Sequence, residues 1–139
     1  MTDEIPLPRE NTGLQGHEQA EDLLRRAFES GRMAHAWLVS GPRGIGKATL
    51  AYRFARFVLA GGGEDSGPGL FGDDGPEENQ GGLYVLPEHP VFHRIAAGAH
   101  VDMLGIERTV NEKTGKLRTE IIVDDVRGIG RFFHHTAGE

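Results

Sequence analysis

A short glycine-rich segment that ends in a lysine is the part of this sequence best suited to chemistry. Residues 41–47 have the spacing of a phosphate-binding loop. Glycines let consecutive backbone N–H groups turn inward, a helix N-terminus adds partial positive charge, and a lysine supplies a full one. The pattern predicts a cradle for the phosphates of a nucleotide. Its residues are Gly41, Pro42, Arg43, Gly44, Ile45, Gly46, Lys47, Ala48 and Thr49.

The residue after the lysine determines whether the loop can help to coordinate a metal ion. It normally carries a hydroxyl group that helps to hold Mg²⁺ between the β- and γ-phosphates. Here it is Ala48, whose methyl group cannot coordinate a metal, and Thr49 lies about 100° further round the predicted helix, nearer the α-phosphate. We expect ATP or ADP to bind, Mg²⁺ to bind weakly or not at all, and hydrolysis to be absent. The alternative is that water fills the position and turnover persists.

Hydrolysis would also need an acidic pair at the end of a buried strand. The one candidate is Asp124-Asp125, which follows the apolar residues 121–123. The same pattern describes a short strand that leads into an N-capped helix, and we favour the helix start, with Asp124 or Asp125 as the N-cap. We therefore predict no catalytic residue.

Neither the histidines nor the cysteine count indicates a metal site. His89 and His93 are four residues apart, but Pro90 disfavours a continuous helix through both. The sequence contains no cysteine, which excludes a thiolate zinc site, a disulfide framework and a cysteine nucleophile. We predict no metal site and no zinc.

One strand and two helices must position the loop. Residues 36–40 are a short apolar run that stops at Gly41, which favours a buried strand. Apolar residues at helical spacing predict one helix over residues 18–30, followed by Gly31, and another over residues 47–60. The order of strand, glycine loop and helix predicts an α/β fold of the P-loop type, with a parallel sheet and flanking helices.

The remaining segments are shorter or less regular. Residues 1–13 are polar and contain proline, which indicates an arm. Arg53 and Arg56 are expected to point away from the apolar face of their helix. Extended runs over residues 101–109 and 117–123, on either side of a polar turn, predict a β-hairpin.

Negative charge is concentrated in one glycine-rich segment of the 139-residue chain. Residues 61–82 hold nine glycines and six carboxylates without a Lys or Arg, and they account for the formal net charge of -6. We expect a flexible loop there. The balanced remainder has no basic face for autonomous DNA binding. The sequence has no signal segment or long apolar run, so we expect a soluble cytoplasmic protein without a membrane span.

Several of these motifs occur together in one known family. They are Gly16-His17-Glu18, His35-Ala36-Trp37-Leu38, and the glycine loop as it continues into Ala48-Thr49-Leu50-Ala51. They resemble the N-terminal AAA+ module of the delta-prime subunit family of the bacterial DNA polymerase III clamp loader. More loosely, His89-Pro90 and residues 123–127 are similar to that family's segment between the phosphate loop and the Walker B strand. The resemblance covers most of the chain outside residues 61–82.

The resemblance implies that residues 1–139 are part of an AAA+ nucleotide-binding domain in a stator-type subunit. Such a subunit joins delta and gamma/tau-type ATPase subunits in a hetero-pentamer that loads the sliding clamp onto primed DNA during replication. It also implies that residues 14–18 border an adenine pocket, and Ala48 fits a subunit that is not catalytic alone. The four-cysteine zinc module of related subunits is absent from this sequence. The alternatives are an active AAA+ or P-loop ATPase and a purely structural interaction module.

Overall fold

Helices provide almost all of the regular structure in residues 5–62 and 82–134, the ranges that this computed structural model describes. The chain divides into two units, Met1–Ala99 and His100–Glu139. No helix within the described ranges is long and apolar enough to cross a membrane. The helices are α1 (Glu18–Glu29), α2 (Lys47–Leu59) and α3 (Pro90–Ala96) in the first unit, and α4 (Val123–Val126) and α5 (Gly128–Phe133) in the second.

Helices α1 and α2 confirm the two helices predicted on either side of residues 36–40. Acidic residues in the first turn of α1 match the positive end of the helix dipole, and Gly31, with a φ of 66°, follows its end. Helix α2 ends in the same way, because Gly62 has a positive φ and its N–H donates to the Phe57 carbonyl at 2.9 Å. Both helices carry their stop signals in the sequence, so their bounds are predictable to within a residue.

The core of the first unit lies among α1, α2 and α3. The rings of Phe28 and Phe57 meet edge to face with their centroids 5.3 Å apart, which joins α1 to α2. Full burial of one such side chain contributes about 1.5–3 kcal/mol. The buried apolar residues are Leu24, Leu50, Phe57, Ala60, Leu83, Val85, Val91, Phe92 and Ile95.

The buried strand predicted at residues 36–40 is not formed. These residues have no strand pairing and lie exposed, with 94% of the Leu38 surface in solvent. An interior strand needs hydrogen-bonded neighbours on both sides. Within the described ranges the one β-bridge joins Val110 and Leu117, in the other unit. The parallel sheet of the α/β prediction therefore remains a prediction.

The predicted hairpin of the second unit is reduced to its turn. One antiparallel bridge pairs Val110 with Leu117, and the Asn111 N–H donates to the Lys116 carbonyl at 2.8 Å. Gly115, with a φ of 66°, supplies the left-handed residue that this turn requires. The runs on either side show no further strand pairing in the part of the chain that is described.

The acidic pair of the second unit lies in a helix start, as favoured from the sequence. Helix α4 begins at Val123, so the assignment of Asp124 or Asp125 as the N-cap is wrong by two or three residues. The Asp125 carboxylate instead reaches back from the first turn and accepts the Ile122 N–H at 2.9 Å and the Thr109 hydroxyl at 3.0 Å. A carboxylate in the first turn can satisfy a free backbone donor as an N-cap does.

The acidic glycine-rich segment predicted over residues 61–82 lies mostly outside the described residues. Both of its described ends contact α1. A Cβ atom on Gly62 would lie 2.8 Å from Cε1 of Phe28, and one on Gly82 would lie 3.1 Å from Nε of Arg25. Phe28 and Arg25 are one helical turn apart, so the segment begins and ends at neighbouring positions on one helix.

Candidate functional site

Three glycines give the loop before α2 its shape. Gly41, Gly44 and Gly46 have φ angles of 151°, 85° and 96°, a region that residues with side chains rarely adopt. A Cβ atom on Gly41 would lie 2.6 Å from Cδ1 of Ile45, and one on Gly46 would lie 2.7 Å from Cδ1 of Leu14. Backbone conformation therefore favours glycine at Gly41 and Gly46, and a side chain at either position would also have to displace the end of Ile45 or Leu14.

Lys47 places its ammonium group over this loop. Its Nζ donates to the Gly41 carbonyl at 2.9 Å and to the Pro42 carbonyl at 2.6 Å. An ammonium group has three donors, so one donor and the full positive charge are left for a ligand. The side chain is thus held at the loop that the sequence assigned to phosphate binding.

The N-terminus of α2 adds backbone donors beside the lysine. The Leu50 N–H donates to the Gly46 carbonyl at 2.9 Å, the first bond of the helix. The N–H groups of Lys47, Ala48 and Thr49 precede that bond and have no partner within the helix. The first turn contains no acidic residue, so its positive end is not neutralised from within. Donors and charge together favour an anion.

Ala48 and Thr49, the first residues after Lys47, differ in their exposure to solvent. Ala48 is exposed beside the loop, whereas Thr49 is buried. The loop therefore presents a methyl group at the position where a P-loop normally offers a hydroxyl to Mg²⁺. Within residues 5–62 and 82–134, no group of three or more His, Cys, Asp or Glu side chains could hold a metal ion.

The segment before α1 lies against the loop. His17 Nε2 is 2.6 Å from the carbonyl oxygen of Ile45. Leu14 occupies the space that a side chain on Gly46 would need. Residues that the resemblance placed at a nucleotide site are therefore brought to the loop, although they are about 30 positions away from it in sequence.

Arg53 is a buried residue that sequence reasoning missed. It was expected to point away from the apolar face of α2, but it is only 2% exposed. Its Nε forms an ion pair with Glu21 of α1 at 2.5 Å, and its Nη1 donates to the Thr12 carbonyl. The sequence feature that could have indicated this burial is Glu21 on α1, because a carboxylate there can pair with a buried guanidinium.

Arg56, one turn further along α2, ties the N-terminal arm to the same helix. Its Nη1 donates to the Arg9 carbonyl at 2.9 Å, and its Nη2 donates to the Asn11 carbonyl at 2.7 Å. Its guanidinium also lies over the ring of Phe92, 4.6 Å from the centroid. Burial, with the charge of Arg53, lowers the pKa of Arg56 to about 10, so the group stays charged at neutral pH. The described part of the predicted arm is thus fixed to α2.

Comparison with known families relates this region to a subunit of DNA polymerase III. Residues 16–69 match the family described as DNA polymerase III, delta subunit. The match spans His17, the glycine loop and α2, which together form the site, and covers less than half of the chain. It supports a family related to the DNA polymerase III clamp loader for this region. Neither the curated proteins nor the solved structures give a match.

Proposed function

We propose that this chain carries the nucleotide cradle of a stator-type, delta-prime-like subunit of the DNA polymerase III clamp loader, and that it binds ATP or ADP without hydrolysing it. The observation that carries the proposal is the left-handed glycine loop with the Lys47 ammonium held over it, inside the region that matches the DNA polymerase III family. Loop and lysine supply the donors and the positive charge that a polyphosphate needs.

The absence of hydrolysis follows from two positions. Ala48 offers no oxygen to Mg²⁺. The only acidic pair that the sequence suggested for the metal, Asp124 and Asp125, lies in the first turn of α4, where Asp125 is bonded to Ile122 and Thr109. These two positions favour binding without hydrolysis.

The partners and the fold belong to the same proposal. The chain would assemble with delta and gamma/tau-type ATPase subunits in a hetero-pentamer and act on the sliding clamp through them, in the cytoplasm. Its parallel sheet would include residues 36–40, which directly precede the loop and are exposed. The match of residues 16–69 to a DNA polymerase III subunit family supports these partners.

The test is a titration of the chain with a fluorescent ATP analogue, with and without Mg²⁺, alongside a phosphate-release assay. Lys47→Ala should weaken binding strongly, because it removes the ammonium charge that the Gly41 and Pro42 carbonyls hold at the loop. Lys113→Ala, an exposed lysine of the second unit, is the matched control and should bind like the unmodified chain. Phosphate release by the unmodified chain that Lys47→Ala abolishes would instead establish an active ATPase. Absence of nucleotide binding would establish a structural interaction module.

A further inference from the structure

The peptide plane between Ile45 and Gly46 is held from outside the loop. His17 Nε2 lies 2.6 Å from the Ile45 carbonyl oxygen, and a carbonyl can only accept, so Nε2 carries the hydrogen. We infer that His17 is a positioning residue: by holding this carbonyl, it aims the Gly46 N–H at a bound phosphate. This inference rests on the proposed function and names a determinant of the same site.

The geometry of the peptide bond links the two groups. The described residues contain no cis peptide bond, and in a planar trans peptide the C=O and the following N–H point in opposite directions. With the Ile45 carbonyl turned toward His17, the Gly46 N–H is turned away from His17. Gly46 directly precedes Lys47, so that N–H joins the free donors at the start of α2.

The loop itself does little to prevent this peptide from rotating. Gly46 has no side chain and a broad choice of backbone angles, and Ile45 leaves 38% of its surface in solvent. Leu14 Cδ1 lies 2.7 Å from where a Cβ atom on Gly46 would be, and this apolar contact offers no hydrogen bond to the Ile45 carbonyl. A reversed plane would turn the carbonyl dipole toward the phosphate oxygens and repel them. The hydrogen bond from His17 is therefore the contact that selects the productive orientation.

The experiment separates the donor from the bulk of the side chain. His17→Phe keeps a ring and removes the donor, His17→Gln keeps an N–H donor, and His17→Met matches Gln in length without one. We expect Phe and Met to weaken binding of a fluorescent ATP analogue about three- to tenfold, the value of one hydrogen bond, and Gln to restore most of it. The same order should hold for displacement by inorganic tripolyphosphate, which has no base. His134→Phe, at an exposed histidine of the second unit, is the control.

A second measurement reports on the peptide plane directly. In ¹H–¹⁵N spectra of the unmodified chain and of His17→Gln, tripolyphosphate should shift the Gly46 amide signal, and this shift should shrink in His17→Met. Equal affinity of Met and Gln variants, or an equal Gly46 shift in both, overturns the inference and leaves the proposed function standing. If His17→Met weakens binding of the ATP analogue but not of tripolyphosphate, the inference is also overturned. His17 would then contact the adenine base of the nucleotide. Failure of the unmodified chain to bind either probe overturns both.

Discussion

Under the proposed function, Ala48 is the residue that would separate binding of a nucleotide from binding of its metal ion. Replacement with Thr would place a hydroxyl beside Lys47, where a P-loop holds Mg²⁺. We expect Ala48→Thr to tighten binding of an ATP analogue several-fold in the presence of Mg²⁺ and to leave metal-free binding unchanged. Titrations with Mg²⁺ and with a chelator measure the difference.

The same variant should release no more phosphate than the unmodified chain. Hydrolysis also needs a carboxylate that polarises water and, in many such enzymes, an arginine from a neighbour, and one hydroxyl supplies neither. Ala48→Ser is the matched variant, since it also restores a hydroxyl. Phosphate release that appears with either substitution would show that Ala48 alone blocks turnover.

The Glu21–Arg53 pair gives a prediction on stability. Both side chains are about 2% exposed, so Glu21→Gln leaves an uncompensated buried guanidinium. Removing one partner of such a pair costs about 3–5 kcal/mol in free energy of unfolding, whereas replacing both with apolar residues of similar size costs much less. Urea unfolding of Glu21→Gln, Arg53→Met and the double variant Glu21→Met with Arg53→Met tests this.

The matched control is the exposed pair Asp22–Arg26 on the same helix, joined at 2.8 Å with Arg26 75% exposed. Exposed pairs of this kind contribute about 0.2–1 kcal/mol, so Arg26→Gln should change the free energy of unfolding little. If Glu21→Gln were no less stable than Arg26→Gln, the ion pair would contribute nothing to the fold.

At the level of single residues, the sequence predicts best those residues whose type suits one particular conformation or role. The left-handed φ values of Gly44 and Gly46 agree with the loop pattern, because no other residue type fits that backbone easily. Arg53 and Arg56 were misplaced because charged side chains are usually exposed. Their burial depends on partners at residues 9, 11, 12 and 21, and no local pattern reveals contacts with those positions.

At the level of secondary-structure elements, the first turn of α1 should make the stability of the fold depend on pH. Backbone hydrogen bonds at Glu18 and Gly16 lower the pKa of the Glu18 carboxyl from its ordinary value of 4.5. When folding lowers the pKa of a group, that group stabilises the fold at pH values above its pKa in the unfolded state. This stabilisation is lost as the pH falls through the pKa of the folded state. Between pH 6 and pH 3 we therefore expect the Tm of the unmodified chain to fall more than that of Glu18→Gln.

Glu120→Gln is the control for this comparison, since Glu120 is exposed and lies outside the helices. Its Tm profile should run parallel to that of the unmodified chain. A Glu18→Gln profile that also ran parallel would mean that the hydrogen bond from Gly16 at 3.1 Å does not persist in solution.

Helices and strands differ in how far the sequence determines them. Helix α1 and helix α2 are closed by bonds between residues four apart and by glycines beside their ends, so a local pattern is sufficient. Residues 36–40 have an equally clear apolar pattern, but a strand forms only when a distant segment pairs with it. The apolar pattern predicted a buried strand there, and it could not reveal whether a partner strand is present.

For the molecule as a whole, the glycine-rich segment offers a prediction on chain length. Gly62 contacts Phe28 and Gly82 contacts Arg25, so the ends of the segment lie on one face of α1. We expect replacement of residues 63–81 with a short Gly-Ser linker to change the free energy of unfolding by less than about 1 kcal/mol, because loop length affects closure entropy only slowly. Thermal and urea unfolding of the shortened chain measure it. A Tm lower by many degrees would show that the segment contributes to the core.

The two units differ in how much core they possess. Every buried apolar side chain in the described residues belongs to the first unit, which also holds the candidate site. Composition could not locate this division, because the apolar residues of residues 100–134 have ordinary sequence patterns and yet none of them is fully buried. Whether an apolar residue is buried depends on what packs over it, which is a property of the assembled chain.

The hydrogen bonds from α2 that hold the N-terminal arm also have a consequence for folding during synthesis. Arg9 leaves the ribosome before Arg56, which is 47 positions later, so the bond from Arg56 to the Arg9 carbonyl can form only once α2 has been synthesised. Arg53 bonds to both Glu21 and Thr12, so one side chain of α2 joins that helix to α1 and to the arm. The arm contacts made by these two arginines therefore wait for α2, and a nascent chain halted before residue 53 would lack the ion pair and these arm contacts alike.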